Sequence, residues 1–331
     1  MKSLVLSMLA IASMAAMSSC SNENDPVDEV INAGNQEKVE IKLSAGIVTA
    51  TKSAGVIKET EGALANDLKV RFFRPVDAES PTWTTGDELY AVIAAASGHS
   101  ISFKESEADD ATDKKIYYSN TENMKSYLAG CYLDDAVIKA DDDLKDGKIA
   151  FTITGKQDIM ATIGKTGSKS SIFENFKFEH LLSQINVNLI GTTNSGSNFG
   201  KITKVEITEV PTQLELTLSG SDPAITPTAT GNIEIYNGEM DIPTTSTSVG
   251  EAVMIWSKTS ENNVIGGEKD HPLKVKITTS TGEYIVPIII TGGLQASQNH
   301  SITLTFSEKI SASASFGEWT NNTNIGTGDI Q

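Results

Sequence analysis

Cys20 is the residue in this sequence whose surroundings point most directly to a chemical modification. Lys2 supplies a positive charge, and residues 4–17 form an apolar run of the length typical of a secretory signal, too short for a membrane-spanning helix. Two small residues, Ser18 and Ser19, stand directly before the cysteine. Small side chains let a signal peptidase reach the scissile bond, and the Cys20 thiol can then carry a diacylglycerol. The pattern predicts a signal peptide over residues 1–19 and a lipidated mature N-terminus at Cys20.

The segment after this cysteine, residues 20–36, predicts a flexible tether because it is polar and acidic and contains Pro26 and Gly34. An acyl chain contributes about 0.8 kcal/mol per buried CH₂, so a multiply acylated cysteine would hold the chain firmly on a membrane. The acidic stretch at residues 22–25 (NEND) resembles the signal that exports lipoproteins to the outer face of the outer membrane in Bacteroidetes-type bacteria. We therefore expect a lipid-anchored protein of the outer membrane that is exposed at the cell surface.

The composition argues against some classes of partner. The net charge is −17 and the pI is about 4.6. Such a surface repels phosphate backbones, so we expect no nucleic-acid partner. Beyond Cys20 the chain has one other cysteine, Cys131, so no intrachain disulfide is expected. The neighbours of Cys131 are apolar, which favours a buried inert thiol over a reactive one.

The remaining residues that could do chemistry do not form a recognisable catalytic or metal-binding pattern. None of the four histidines (His99, His180, His271 and His300) has a second ligand at metal-binding spacing. His180 lies on an apolar strand face, which favours a hydrogen-bonded core residue over a ligand or base. The acidic run at residues 141–143 has the wrong register for a calcium loop. We expect no catalytic residue, no metal and no cofactor, although 43 acidic residues could in principle build a hydrolase cleft.

Alternation with a period of two residues recurs along the chain and predicts an all-β protein. Runs such as residues 214–218, 273–277 and 302–306 place apolar side chains on one strand face and polar ones on the other. Three dipeptides, Asn237-Gly238, Asp146-Gly147 and Thr281-Gly282, predict tight hairpin turns. A Gly-, Ser- and Lys-rich stretch at residues 164–171 suggests a boundary. The expected domains are an N-terminal β-sandwich over residues 37–168 and a C-terminal β-sandwich over residues 169–331.

Five segments together resemble the fimbrillin family of Bacteroidetes-type bacteria, the subunits of lipoprotein-derived pili. They resemble, in order, the family's W-x-x-G-D-x-I/L, D-L-M-x-A and F-x-H-x-L-A/S-x-I/L segments and its last two strands, the second of which ends in Trp. Here they are residues 83–89 (WTTGDEL), 157–161 (QDIMA), 178–185 (FEHLLSQI), 294–306 and 310–319. His300 and Ile302 stand where the family has a pair of tyrosines, and they keep the alternation.

The resemblance, which is to subunits of the minor-fimbrium type, implies two tandem transthyretin-like Greek-key β-sandwich domains. It also implies that a trypsin-like protease removes the first strand and that a strand of another pilin subunit adds in its place. Here the first strand would be residues 39–43, and the candidate cut sites are Lys52, Lys58 and Arg74. An uncut accessory, tip or anchor subunit is the alternative. The C-terminal tail, residues 320–331, lacks a clear apolar alternation, which argues against a long donor strand and favours an accessory, tip or anchor subunit.

A second function class remains open from the sequence. A monomeric surface lipoprotein could bind host proteins or glycans, because sugars stack on exposed aromatic rings. Trp83, next to Pro81 at a strand entrance, is the candidate stacking residue, whereas Trp256 alternates with Met254 and is expected in the core.

Overall fold

The computed structural model describes most of the chain after residue 37. The described residues are 38–47, 59–60, 63–96, 98–134, 136–138, 144–257, 267, 269–307, 309–318 and 324–328. Cys20, the tether, Lys52 and Lys58, and the acidic run at 141–143 lie outside them.

The described residues form twenty-two strands and one short helix. The strands of the first half are β1 Leu43–Ile47, β2 Glu59–Thr60, β3 Ala63–Leu64, β4 Leu68–Pro75, β5 Gly86–Ile93, β6 Ser100–Lys104, β7 Ser126–Tyr132, β8 Val137–Ile138, β9 Lys148–Thr152, β10 Met160–Ala161 and β11 Lys165–Gly167. The second half contains β12 Phe176–His180, β13 Leu182–Gly191, α1 Ser195–Phe199, β14 Ile202–Thr217, β15 Ala224–Met240, β16 Thr247–Ser248, β17 Val253–Trp256, β18 Leu273–Thr279, β19 Glu283–Ile288, β20 Gln298–Phe306, β21 Ile310–Glu318 and β22 Asn324–Gly328.

The structure confirms the all-β prediction. The alternation of apolar and polar residues explains why these segments form strands. Along β18, buried and half-buried residues follow one another strictly, with Leu273, Val275 and Ile277 inside. This is the pattern of a strand with one face on a core. The helix α1 has five residues, and in the described part of the chain no helix is both long and apolar enough to cross a bilayer.

The first sheet closes on itself like a barrel. Its strand order is β10-β12-β1-β6-β5-β4-β7-β11, and β10 also pairs with β7. The closure runs through Met160, which pairs with His180 on β12 and with Tyr132 on β7. Closing a sheet removes its open edges, which otherwise invite pairing with other chains.

Aromatic side chains fill this barrel. The ring of Phe72 makes edge contacts with Phe103, Phe176 and Phe178 at centroid distances of 5.7, 5.3 and 6.2 Å. Phe72 and Phe178 are 0% exposed and Phe176 is 1% exposed. These residues belong to one hydrophobic cluster with the inward side chains of β1, β4, β5 and β6.

The other two large sheets share a second hydrophobic cluster. One has the order β16-β13-β20-β21-β22, with β17 also on β13, and the other has the order β19-β18-β14-β9-β8, with β15 on β14. The inward residues of both, such as Val187 and Leu304 from the first and Val205 and Leu216 from the second, are buried together. This arrangement of two facing sheets around one core is a sandwich.

Strand pairing crosses the predicted domain boundary at residue 168 in both directions. Strand β9 precedes the boundary but pairs with β14, and β12 follows it but pairs with β1 and β10. By internal contacts, Lys38–Gln331 forms one compact unit. The division into 37–168 and 169–331, and the transthyretin-like Greek-key description, therefore stay predictions.

Two local turn predictions are confirmed and one is wrong. Asp146 and Gly147 have φ values of 54° and 70°, and the Lys148 N–H donates to the Lys145 carbonyl at 2.8 Å, which is a tight turn leading into β9. A turn that includes Thr281 joins β18 to β19, and the N–H of Thr279 bonds the Gly282 carbonyl at 2.8 Å.

No turn forms at Asn237-Gly238, because neither residue has positive φ and β15 runs through them to Met240. Pairing with the sixteen-residue strand β14 keeps this segment extended. The C-terminal tail contains one further strand. Residues 324–328 form β22, an antiparallel strand on β21, because backbone hydrogen bonding to a strand edge needs no apolar alternation.

Candidate functional site

Strand β1 sits inside the barrel sheet and not at its edge. It pairs antiparallel with β6 through Leu43 and Ser44, and parallel with β12 through Ala45, Gly46 and Ile47. The predicted first strand, residues 39–43, is therefore displaced: the regular strand spans Leu43–Ile47. The residues before it make an isolated bridge, Glu40 with Tyr117, next to a bond from the Ile41 N–H to the Ile116 carbonyl at 2.9 Å.

The inward face of this N-terminal segment is apolar. Ile41, Leu43, Ala45 and Ile47 are 4%, 8%, 7% and 5% exposed, and all four belong to the aromatic cluster of the barrel. Lys42, between them, is exposed. A strand that alternates in this way contributes one apolar stripe to the core and leaves its other face in water.

The geometry defines a groove that β1 occupies. Without β1, strands β6 and β12 would each lose a partner, and the apolar residues beneath would be exposed to solvent. Two residue pairs join β1 to β6 and three join it to β12. An extended segment with apolar side chains at every second position could fill the same groove by main-chain pairing.

Arg74 is the candidate cut site that lies among the residues described by the structure. It lies within β4 opposite Asp87 of β5, and its guanidinium Nη2 donates to Asp77, to the Tyr117 carbonyl at 2.9 Å and to Ser126. Its side chain is 18% exposed. A protease binds its target as an extended chain, so cleavage here would require β4 to leave the sheet. These surroundings favour the other two sites, Lys52 and Lys58, whose role stays a prediction.

Trp83, the candidate stacking residue, is half-buried and packs against the protein itself. Its ring centroid lies 6.4 Å from those of Phe73 and Tyr127. A Cβ added at Gly164 would lie 2.5 Å from the Trp83 ring, so the ring rests directly on that backbone. The role of Trp83 toward a ligand stays a prediction. Trp256 is 4% exposed, as expected for a core residue.

His180 is a buried, hydrogen-bonded residue, as the sequence predicted. Its Nδ1 lies 2.9 Å from the Asp158 carboxylate, and both side chains are almost fully excluded from solvent. The Asp158 N–H in turn donates to the Asp134 carboxylate at 3.1 Å. The sequence indicates a buried His180 but does not identify its partner Asp158, which lies 22 residues away along the chain.

Cys131 and His300 are both buried in the fold. Burial raises the pKa of the Cys131 thiol to about 12, which fits the predicted inert thiol. Burial lowers the pKa of His300 to about 4, so this imidazole is neutral inside the sandwich at pH 7. In the described part of the chain, no group of three or more His, Cys, Asp or Glu side chains is placed to hold a metal ion.

Comparison with solved structures finds several chains that are similar to this one. The chain is similar to a candidate cell adhesion protein from Bacteroides uniformis, with 14% identity, a TM-score of 0.50, and coverage of 87% of this chain and 100% of that one. It is also similar to a fimbrial assembly protein from Parabacteroides distasonis, with 9% identity, a TM-score of 0.47, and coverage of 88% and 100%.

A third similar structure is the tip fimbrial protein Mfa3 from Porphyromonas gingivalis with a C-terminal truncation. Its identity is 11% and its TM-score 0.39, with coverage of 88% of this chain and 100% of that one. No curated protein matches the sequence.

The family comparison agrees with the five segments quoted above. The model of the fimbrillin-like family matches residues 78–326, which include the W-x-x-G-D segment, the buried His180 strand and most of the final strands. The match covers most of the chain and begins after β4, so strands β1 to β4 lie outside it. The chain therefore belongs to the fimbrillin-like family, a family of fimbrial structural and adhesion proteins.

Proposed function

We propose that this protein is a lipid-anchored subunit of a surface fimbrium, in a structural, tip or anchor position, that assembles by β-strand addition and supports adhesion. Family membership supports a fimbrial or adhesion-related subunit at the cell surface. The observation that supports assembly by strand addition is the position of β1 between β6 and β12. This N-terminal strand joins its neighbours through few residue pairs, yet it covers the aromatic core of the barrel.

In this proposal the protease cuts after Lys52 or Lys58, beyond the end of β1 at Ile47. The strand then leaves, and an extended segment of a neighbouring subunit takes its place. The incoming segment needs apolar side chains at alternate positions to replace Leu43, Ala45 and Ile47. The gain of a full set of main-chain hydrogen bonds and of apolar burial makes the joint stable.

Limited proteolysis tests the assembly step. The purified chain is treated with a trypsin-like protease, its new N-terminus is sequenced, and oligomers are measured by light scattering. We expect a start after residue 52 or 58 and oligomers that form only after the cut. The Lys52→Gln and Lys58→Gln variants identify the site, and Lys38→Gln, before β1, is the matched control. A single start at Cys20, or a cut protein that stays monomeric, contradicts the proposal.

The anchor is tested separately on cells. In the proposal the Cys20 thiol carries the lipid and Cys131 does not, because Cys131 is buried in the fold. We expect Cys20→Ser to abolish incorporation of labelled palmitate and to release the protein from the outer-membrane fraction. Cys131→Ser is the matched control and should keep both. Palmitate incorporation that survives Cys20→Ser contradicts the anchor.

A further inference from the structure

A cavity with a volume of about 610 Å³ lies on the outer face of the barrel sheet. Its floor includes Arg71 and Tyr90, from β4 and β5. Residues 106–109, which follow β6, form one wall, and residues 133–134 with Ile138 form another. The volume is within the range of sites that take small molecules.

The cation on this floor, Arg71, is held in a fixed position. Its Nη1 donates to the Glu88 carboxylate at 2.9 Å, and its guanidinium carbon lies 5.4 Å from the centroid of the Tyr90 ring. The side chains of Arg71 and Glu88 are each 11% exposed. A guanidinium fixed by one carboxylate and one ring keeps its other amino group ready for a second acceptor.

The second acceptor is a carboxylate of the protein's own exposed loop. Arg71 Nη2 donates to Glu107 at 2.9 Å, and Lys69, beside it on β4, forms an ion pair with Asp109 of the same loop. Glu107 and Asp109 are 56% and 91% exposed. Ion pairs with such exposed partners contribute little stability, so an external carboxylate could replace them.

At Arg71, a ligand in the cavity can contact side chains but cannot pair with an unpaired strand edge. At Arg71, β4 is paired with Tyr90 of β5 on one side and with Cys131 of β7 on the other. An extended peptide could therefore not add here through its main chain, as strand addition requires. The ligand that fits is compact, carries a carboxylate, and has further polar groups for lining residues such as Ser106 and Lys104.

We propose that this cavity binds a carboxylate-bearing saccharide, a hexuronate, whose carboxylate replaces Glu107 on Arg71 and Asp109 on Lys69. The sugar hydroxyls bond to the polar walls, and its ring carbons contact Tyr90 and Val92. The net charge of −17 repels such a ligand at long range, but the Debye length is about 8 Å at physiological salt, so the groups that line the cavity decide. Carboxylates outnumber cations in this lining, so the uronate must displace Glu107 and Asp109 from Arg71 and Lys69 in order to bind. This site does not depend on the proposed strand addition.

The test measures binding of two probes to the purified full chain by isothermal titration calorimetry. The probes are a galacturonate disaccharide and the matching neutral galactose disaccharide. We expect the uronate to bind at least about tenfold more tightly, because a charge-assisted pair to Arg71 forms with the acid alone.

Three variants show whether the uronate binds in this cavity. Lys69→Gln should weaken uronate binding about three- to tenfold, whereas Glu107→Gln should tighten it about threefold, because the internal competitor is removed. Lys148→Gln is the matched control, because Lys148 is exposed to the same extent as Lys69, 52%, and pairs with Glu215 at 2.9 Å outside the cavity. It should leave binding unchanged.

Each other outcome overturns the proposal. Equal binding of the two disaccharides would show that the carboxylate is not recognised. Weaker binding by Glu107→Gln would show that Glu107 is a ligand-binding group and not a competitor. Binding of an acidic peptide without binding of the uronate would assign the cavity to another class of partner. Since all three variants change surface residues, their folding can be checked by the unchanged urea midpoint.

Discussion

The Nδ1 of His180 lies 2.9 Å from the Oδ1 of Asp158, and the two side chains are 1% and 0% exposed. The contact joins the end of β12 to the segment before β10. It continues through the Asp158 N–H to Asp134, which also accepts a bond from the Tyr132 hydroxyl at 2.8 Å. This polar chain ties the closure of the barrel, where β7, β10 and β12 meet, to the segment that follows β7.

We expect Asp158→Ala to lower the free energy of unfolding by about 1–3 kcal/mol, because a buried imidazole loses its acceptor. Asp158→Asn should cost less, because an amide oxygen remains. Urea unfolding measures both. Asp109→Ala, at a carboxylate that is 91% exposed, is the control and should change stability by less than about 0.5 kcal/mol. Equal losses for Asp158→Ala and Asp109→Ala would contradict the structural role of the pair.

Trp83 gives a prediction that separates packing from ligand stacking. Trp83→Ala removes the contacts with Phe73 and Tyr127 and should cost about 2 kcal/mol of stability, less than the loss for a fully buried ring. Trp83→Phe should restore part of it. Thermal or urea unfolding is the measurement. If Trp83→Ala abolishes glycan binding while the unfolding midpoint stays constant, the ring serves a ligand.

His300 makes the sandwich sensitive to acid. Its pKa is lowered from 6.5 to about 4 by burial, so the unfolded chain binds a proton there at a pH where the folded chain does not. Stability therefore falls as pH drops from about 6.5 to 4, by about 3 kcal/mol from this residue.

The measurement is the difference in unfolding free energy between His300→Gln and the parent chain across that pH window. We expect the parent to lose more stability than the variant as the pH is lowered. His271→Gln, at an exposed position, should keep the pH profile of the parent. A parallel profile for His300→Gln and the parent would refute the assignment.

Cys131 should resist thiol reagents as long as the protein is folded. The residue is 0% exposed, and burial raises its pKa to about 12, so almost no thiolate exists at pH 8. In a Cys20→Ser chain, which leaves this single thiol, we expect no reaction with a disulfide reagent at pH 8 until urea unfolds the protein. Rapid stoichiometric labelling of the folded chain would contradict this expectation.

Gly147 should be intolerant of a side chain. Its φ is 70°, and an added Cβ would lie 2.9 Å from the carbonyl oxygens of Leu218 and Trp83. We expect Gly147→Ala to lower the free energy of unfolding by about 1–2 kcal/mol or more. Gly46→Ala is the matched control, because no atom lies within 4 Å of its added Cβ. If both variants unfold at similar urea concentrations, the claim that this turn cannot accommodate a side chain at Gly147 is contradicted.

Local patterns in the sequence were sufficient for the strand class, the core faces and the family. The alternation of Leu273, Val275 and Ile277 predicts the buried face of β18, because a strand turns successive side chains to opposite sides. The residue types at Asp146-Gly147 also predict the turn there, because Asp and Gly adopt positive φ more readily than most residues. Five segments in order, among them those around Trp83 and His180, together indicate the family, because they keep its residue types at its spacing.

Long-range pairing could not be derived in the same way, because alternation states which face is buried and not which strand lies alongside. The resemblance puts the first strand at residues 39–43, whereas β1 spans Leu43–Ile47 and lies between β6 and β12. The sequence predicts a turn at Asn237-Gly238, but pairing with β14 keeps β15 extended through these residues. Asp158 beneath His180, and Glu107 on Arg71, come from segments 22 and 36 residues away, and they meet only once the sheets have closed.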